Sequence, residues 1–167
     1  MTDLATSRLA LPLLAAGQAQ KEMSHNEALT RLDLTVHGSA IAAGTQVPPA
    51  SPLPGQCWIV GDAPEGDWAG YGNAVAGWTE GGWRFVAPCE GMRLWLGETD
   101  GFALFSGGSW RIGETHGRLF VEGVQVIGPR AAAIVEPSGG TVVDAEARAS
   151  ILAVLNVMRA HGLVDTD

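Results

Sequence analysis

Six tryptophans, Trp58, Trp68, Trp78, Trp83, Trp95 and Trp110, sit among glycines and short apolar runs inside residues 58–110. Dense Trp and Gly restrict a chain to compact β structure. Glycine supplies the positive φ that tight hairpins need, and an indole either fills a small core or offers a rigid flat face with one hydrogen-bond donor. The breaks between apolar runs are Gly61-Asp62, Glu65-Gly66-Asp67, Glu80-Gly81-Gly82, Asp100-Gly101 and Gly107-Gly108. They leave candidate strands at 56–60, 74–78, 83–87, 92–97, 103–106, 109–112, 118–121 and 124–127. Strands this short at this spacing predict an antiparallel meander closed as a small barrel or sandwich. Residues 77–85 and 103–111 repeat one layout, an apolar strand, a glycine turn and a Trp-Arg strand, which is a weak internal repeat of one hairpin.

The flanks read differently. Residues 1–17 carry an apolar patch, Leu9, Leu11, Leu13 and Leu14, and Pro12 within it disfavours helix and favours an extended arm. Such an arm packs either on its own domain or on a neighbouring subunit, and these four leucines are the candidate anchoring residues. Residues 18–40 predict a helix with Met23, Leu29, Leu32 and Val36 near one stripe and Gly38 as its stop. His25, Asn26 and Glu27 read as its solvated face. Residues 44–56 hold four prolines and read as a stiff linker. After the turn at 137–141, Asp144 is an N-cap candidate for a second helix, and Glu146 adds favourable charge to its first turn. Ala147, Ile151, Val154, Met158 and His161 alternate by four and three, an a/d pattern, and Leu152 and Leu155 widen the stripe. This helix either covers its own β unit or bundles with copies of the chain. Ala147, Ile151, Val154, Leu155 and Met158 are the oligomerisation candidates. The chain thus divides into an arm and helix at 1–43, a linker at 44–56, a Trp/Gly-rich β domain at 57–136 and a C-terminal helix segment at 137–167. The fold class is mainly β, a small antiparallel barrel or sandwich with a helix on each side.

Composition removes several function classes. Of 167 residues, 46% are hydrophobic and 17% charged, enough for a real core. The formal net charge is −8 with Lys and Arg scattered, so no basic footprint for nucleic acid exists. No segment reaches the roughly 18 apolar residues of a membrane span. The apolar stretch 9–16 lacks a basic n-region, so no signal peptide is expected. Cys57 and Cys89 fit no metal-ligand spacing. They read as two buried free thiols, with a disulfide possible if their strands pair.

Catalytic motifs are lacking: there is no GxSxG, HExxH, P-loop or helix-opening GxGxxG. His25, His37, His116 and His161 are dispersed. Asp62, Glu65, Asp67, Glu98 and Asp100 are turn acids without the spacing of a calcium loop. No enzyme, metal or cofactor is expected, and a small hydrolase ranks third among the readings. Most tryptophans should be core, with Trp58, Trp83, Trp95 and Trp110 largely buried. Trp68 and Trp78 lie in or near loops, and with Tyr71 and Asn73 they form the candidate glycan surface, flat rings beside polar edges.

Three stretches together resemble a known family. Residues 11–22, LPLLAAGQAQKE, with His25-Asn26-Glu27-Ala28-Leu29, are similar to the opening of a phage-type protein family of alphaproteobacterial prophages and gene transfer agents. Pro54-Gly55-Gln56, Gly66-Asp67-Trp68-Ala69-Gly70, Ala76-Gly77-Trp78, Gly82-Trp83-Arg84-Phe85, Pro88 and Trp95 resemble its core pattern. Pro137-Ser138-Gly139-Gly140-Thr141, Asp144 to Ala149 and Arg159-Ala160-His161-Gly162-Leu163 resemble its tail piece. The resemblance implies a virion component, a tail fibre or head spike subunit made in the bacterial cytoplasm. It would be a homo-oligomer, a trimer, bound to other virion proteins and attaching to host cells, with surface polysaccharide as a further partner. Charge and hydropathy, as above, lead us to expect no nucleic-acid partner and no membrane insertion. The alternative is a stand-alone cell-surface carbohydrate-binding module.

Overall fold

The computed structural model of the chain describes residues 4–17, 21–127 and 129–166. The chain divides into two compact units, Met1–Glu114 and Thr115–Asp167. In the first, α1 (Lys21–Thr35) precedes β1 (Ser39–Ala40), β2 (Ala43–Thr45), β3 (Cys57–Val60), a 3-10 turn (Gly66–Trp68), β4 (Val75–Thr79), β5 (Gly82–Val86), β6 (Arg93–Leu96), β7 (Gly101–Ser106) and β8 (Ser109–Ile112). Every strand the glycine breaks predict within this unit is present, shifted by at most two residues. β1 and β2 come from residues read as helix end and linker, and at two and three residues they are too short to show alternation.

The strands form two open four-stranded rows, β1-β6-β7-β8 and β2-β3-β4-β5. Hairpin neighbours pair antiparallel, whereas β1 pairs parallel with β6 and β2 parallel with β3. Consecutive β1 and β2 therefore tie one row to the other. Leu94, Leu96 and Ala103 of the first row share one core with Cys57, Ile59 and Val75 of the second and with Leu34 of α1. This is a sandwich, and open rows exclude the barrel alternative. β3 is buried at all four positions because both its faces are covered. Cys57 and Ile59 face the common core, and Trp58 and Val60 join a second cluster with Trp68 and Ala76. The internal repeat is real in geometry. Trp78 stands opposite Trp83 beside one turn, and Phe105 stands opposite Trp110 beside the other. Their rings meet at 4.9 and 5.4 Å, both near edge-to-face.

Helix α1 departs from its expected stripe. Its expected start at 18–20 lies outside the described residues. Met23, Leu32 and Val36 face water, and the buried positions are Asp33 and Leu34. Leu34 packs against β4 where Gly77 leaves room, since a Cβ there would meet Leu34 Cδ1 and Cδ2 at 2.5 Å. The polar side of α1 is covered by the N-terminal arm, which folds back as a short hairpin with Ala5 paired to Pro12. Thr6 Oγ1 and the backbone N–H groups of Arg8 and Leu9 donate to the Asp33 carboxylate at 2.7, 3.0 and 2.6 Å. Asn26 binds both the N–H and the C=O of Leu14 at 2.9 Å. The Arg8 guanidinium donates to the carbonyls of Asp33 and His37, supplying positive charge where the helix ends. Asn26 and Glu27, read as solvated, are thus engaged, Glu27 with Arg31 and Arg84. His37 (φ +48°) takes the left-handed position after α1. Gly38, the expected stop, is required for space: a Cβ would collide with Leu94.

The second unit contains β9 (Leu119–Val121), β10 (Val124–Ile127) and α2 (Ala145–Ala160). β9 and β10 form a hairpin about Glu122 (φ +49°) and Gly123 (φ +80°), both left-handed as a two-residue turn demands. Asp144 caps α2 by accepting from Ala147 N at 2.8 Å, as expected.

Candidate functional site

Strand parity decides which tryptophans face water. Trp58 registers with Ala76 and Phe85, and Trp78 with Trp83, on the face of β3–β5 turned from the common core. The 3-10 turn lays Trp68 onto this face. Its ring lies 6.3 Å from Trp58 and 5.1 Å from Trp83, and Trp78 joins the group through Trp83. Trp68 is 0% exposed, which removes it from the candidate glycan surface. Its segment is a loop, as read, but the turn aims the indole inward. Trp68 Nε1 has no hydrogen-bond partner among the described residues.

The other three glycan candidates do not converge. Trp78 is half-buried and lines a cavity of about 180 Å³ with Thr6, Thr30, Asp33 and Arg84. Tyr71 is exposed, but one face is stacked on Phe85 at 3.7 Å and 5°. Asn73 (φ +64°) lines a separate cleft with Asp62 and Glu98, and its carbonyl accepts from Trp110 Nε1 at 2.8 Å. Four residues close in sequence therefore occupy the core and three different surfaces.

A different aromatic pair does face solvent. β6 alternates, Leu94 and Leu96 inward, Arg93 and Trp95 outward. Trp95, expected in the core, is 40% exposed, and Phe102, directly opposite on β7, is 44% exposed. The rings meet at 5.2 Å and 86°, and the Arg93 guanidinium lies 4.4 Å from the Phe102 centroid. With His37 and Gly38 these residues line an open cleft of about 400 Å³. The missed signal was Arg93: it shares strand parity with Trp95, so an arginine that must stay wet carries the tryptophan out with it. An indole of about 200 Å² exposed at this level leaves roughly 80 Å² to cover, about 2 kcal/mol of apolar contact for a flat ligand.

Asp62 and Glu98 of the acidic turn residues have local partners, as does Glu90. Gln46 Nε2 donates to Asp62 at 3.0 Å, which holds that carboxyl below its ordinary range. Glu98 accepts from Ala43 N at 3.0 Å, and Glu90 accepts from Ser106 and Gly107 N. Among the described residues no group of three His, Cys, Asp or Glu is placed to hold a metal ion. Cys57 is a buried thiol, and burial pushes it up to about 11. Cys89, expected to be buried, is exposed because it sits in the turn after β5.

In the arm, Leu9 is exposed and Leu11, Leu13 and Leu14 are half-buried. On α2, Ala147, Ile151 and Val154 are exposed, Met158 is half-buried and Leu155 is buried. The a/d edge thus lies open at Ala147, Ile151 and Val154 and is partly covered at Met158. No helix among the described residues is long and apolar enough to cross a membrane.

A family model described as a protein of unknown function, DUF2793, matches residues 25–111, more than half of the chain, and the chain belongs to that family. The matched span covers most of α1 and the whole sandwich except the last residue of β8. No curated protein matches the sequence.

Proposed function

We propose that this DUF2793 protein is a structural component of a phage-like particle or gene transfer agent, a tail fibre or head spike subunit that attaches to the host cell surface through glycans. The observation that carries the reading is the outward Trp95–Phe102 pair on a rigid strand pair. Solvent-exposed aromatic rings carried on paired strands offer an apolar surface on which the apolar face of a sugar can pack.

The second unit supports assembly into a homo-oligomer, a trimer in this reading. Among its described residues, fourteen large apolar side chains are exposed. Fully burying such a chain removes roughly 60–120 Å² from water, so half exposure of fourteen leaves on the order of 600 Å² uncovered. Summed over the unit, that apolar area is of the same order as the about 800 Å² per partner that a standard interface buries. A two-stranded hairpin is itself marginal in water. β9–β10 and the Ile151–Val154 edge of α2 therefore both call for a partner surface.

Two measurements test this. Particles purified from the encoding bacterium should carry the protein by immunogold labelling, and particles from a deletion strain should adsorb poorly to cells. Unlabelled particles with normal adsorption in the deletion strain contradict the reading. In solution the full chain should be an oligomer that Ile151→Asp with Val154→Asp converts to monomer. A monomeric wild-type chain that still binds glycan would favour the stand-alone module.

A further inference from the structure

The cleft at Trp95 holds one feature that a neutral sugar would not need. The other arginines described in the first unit are committed. Arg8 serves backbone carbonyls, Arg31 and Arg84 share Glu27, and Arg111 lies 4.0 Å from Glu114. Arg93 is exposed, lies over the Phe102 ring and has no carboxylate partner among the described residues. It does so in a chain of net charge −8. Packing on Phe102 holds the guanidinium while leaving its N–H edge open to a ligand.

We propose that this cleft binds an acidic polysaccharide through a uronic acid residue, the pyranose ring lying on Trp95 and its carboxylate on Arg93. The proposal rests on the glycan reading above and names the class of glycan. Arg93 and Trp95 are two residues apart on one face of β6, which spaces their backbones by about 6.7 Å. A ring on the indole can therefore reach the guanidinium with its exocyclic carboxylate. Planar guanidinium against planar carboxylate gives a paired hydrogen-bond geometry that hydroxyls cannot match. The cleft, about 400 Å³, falls in the range of small-ligand sites.

The test is binding of the full chain to polygalacturonate, alginate and hyaluronate, to their carboxyl-reduced neutral forms, and to a sulfated glucan. The expected result is a ten- to hundredfold preference for at least one acidic polymer over its reduced form, weakening as salt rises. Arg93→Met should bring that ratio close to one while weak binding to both forms persists. Trp95→Ala should lose both. Emission of the buried tryptophans reports whether each variant is folded. Equal binding of acidic and reduced polymers, an undiminished preference in Arg93→Met, or a stronger preference for the sulfated glucan overturns the uronic acid assignment and leaves the glycan reading standing. Binding to none of these polymers by the folded wild-type chain overturns both.

Discussion

Replacing Asp33 by Ala should release the N-terminal arm while leaving the sandwich folded. The Asp33 side chain, in a residue only 3% exposed, accepts three hydrogen bonds from the arm at 2.6 to 3.0 Å. Hydrogen bonds to a charged group contribute about 1.5–3 kcal/mol each, but the three share one short segment whose ordering opposes them by about 1–2 kcal/mol per residue. A net loss of about 3 kcal/mol is the outcome, since two backbone N–H groups and the Thr6 hydroxyl lose their acceptor together. The Arg8–Leu9 bond lies in the turn held by this carboxylate, so trypsin reads the latch directly. When opening is fast relative to cleavage, the rate follows the open population, and 3 kcal/mol corresponds to about a hundredfold faster cut. Tryptophan emission is a separate reporter of the sandwich, since all six tryptophans lie in residues 58–110. Its urea midpoint should fall much less than the cleavage rate rises. Cleavage after Arg8 within twofold of wild type would refute the latch.

Other perturbations probe different parts of the structure. Gly77→Ala drives a methyl into Leu34 and should cost about 1–3 kcal/mol by urea unfolding; in Gly77→Ala with Leu34→Ala the methyl fills part of the vacated space, so the losses sum to less than the two singles. Thiol titration should find one reactive cysteine per native chain, Cys89, and a second only in denaturant, because burial pushes Cys57 up to about 11. Burial raises the Glu27 carboxyl, but the Arg84 and Arg31 hydrogen bonds together outweigh it and leave the group lowered. A lowered folded value means stability present above the ordinary 4.5 and lost as pH falls through the folded value. The stability gap between wild type and Glu27→Gln should therefore be constant above pH 4.5 and shrink below it. It should stay under about 1 kcal/mol, since the pair is about one-third exposed.

Glycine placement and strand length made the sandwich strands legible, because the favoured tight hairpin turns take the positive φ that glycine adopts cheaply. β1 and β2 were not legible: their pairing is parallel and non-local, and a two-residue strand carries no alternation. The first helix misled for another reason. Apolar spacing assumes that a helix hides its apolar side, yet α1 hides Asp33 under donors brought by the arm, a partnership visible only in three dimensions. The surface tryptophan was recoverable from the neighbours of each ring. Arg93 marks Trp95 as outward by parity, and loop polarity falsely marked Trp68 as outward. A loop says where the backbone runs, and a 3-10 turn can still aim its side chain into the core.

The attachment role turns on Trp95. Labelled full-length protein mixed with intact host cells and pelleted gives the bound fraction directly, with Leu53→Ala as an exposed apolar control elsewhere on the same unit. The account predicts that Trp95→Ala lowers cell binding at least tenfold and that Leu53→Ala leaves it unchanged. Equal binding by wild type and Trp95→Ala would contradict it.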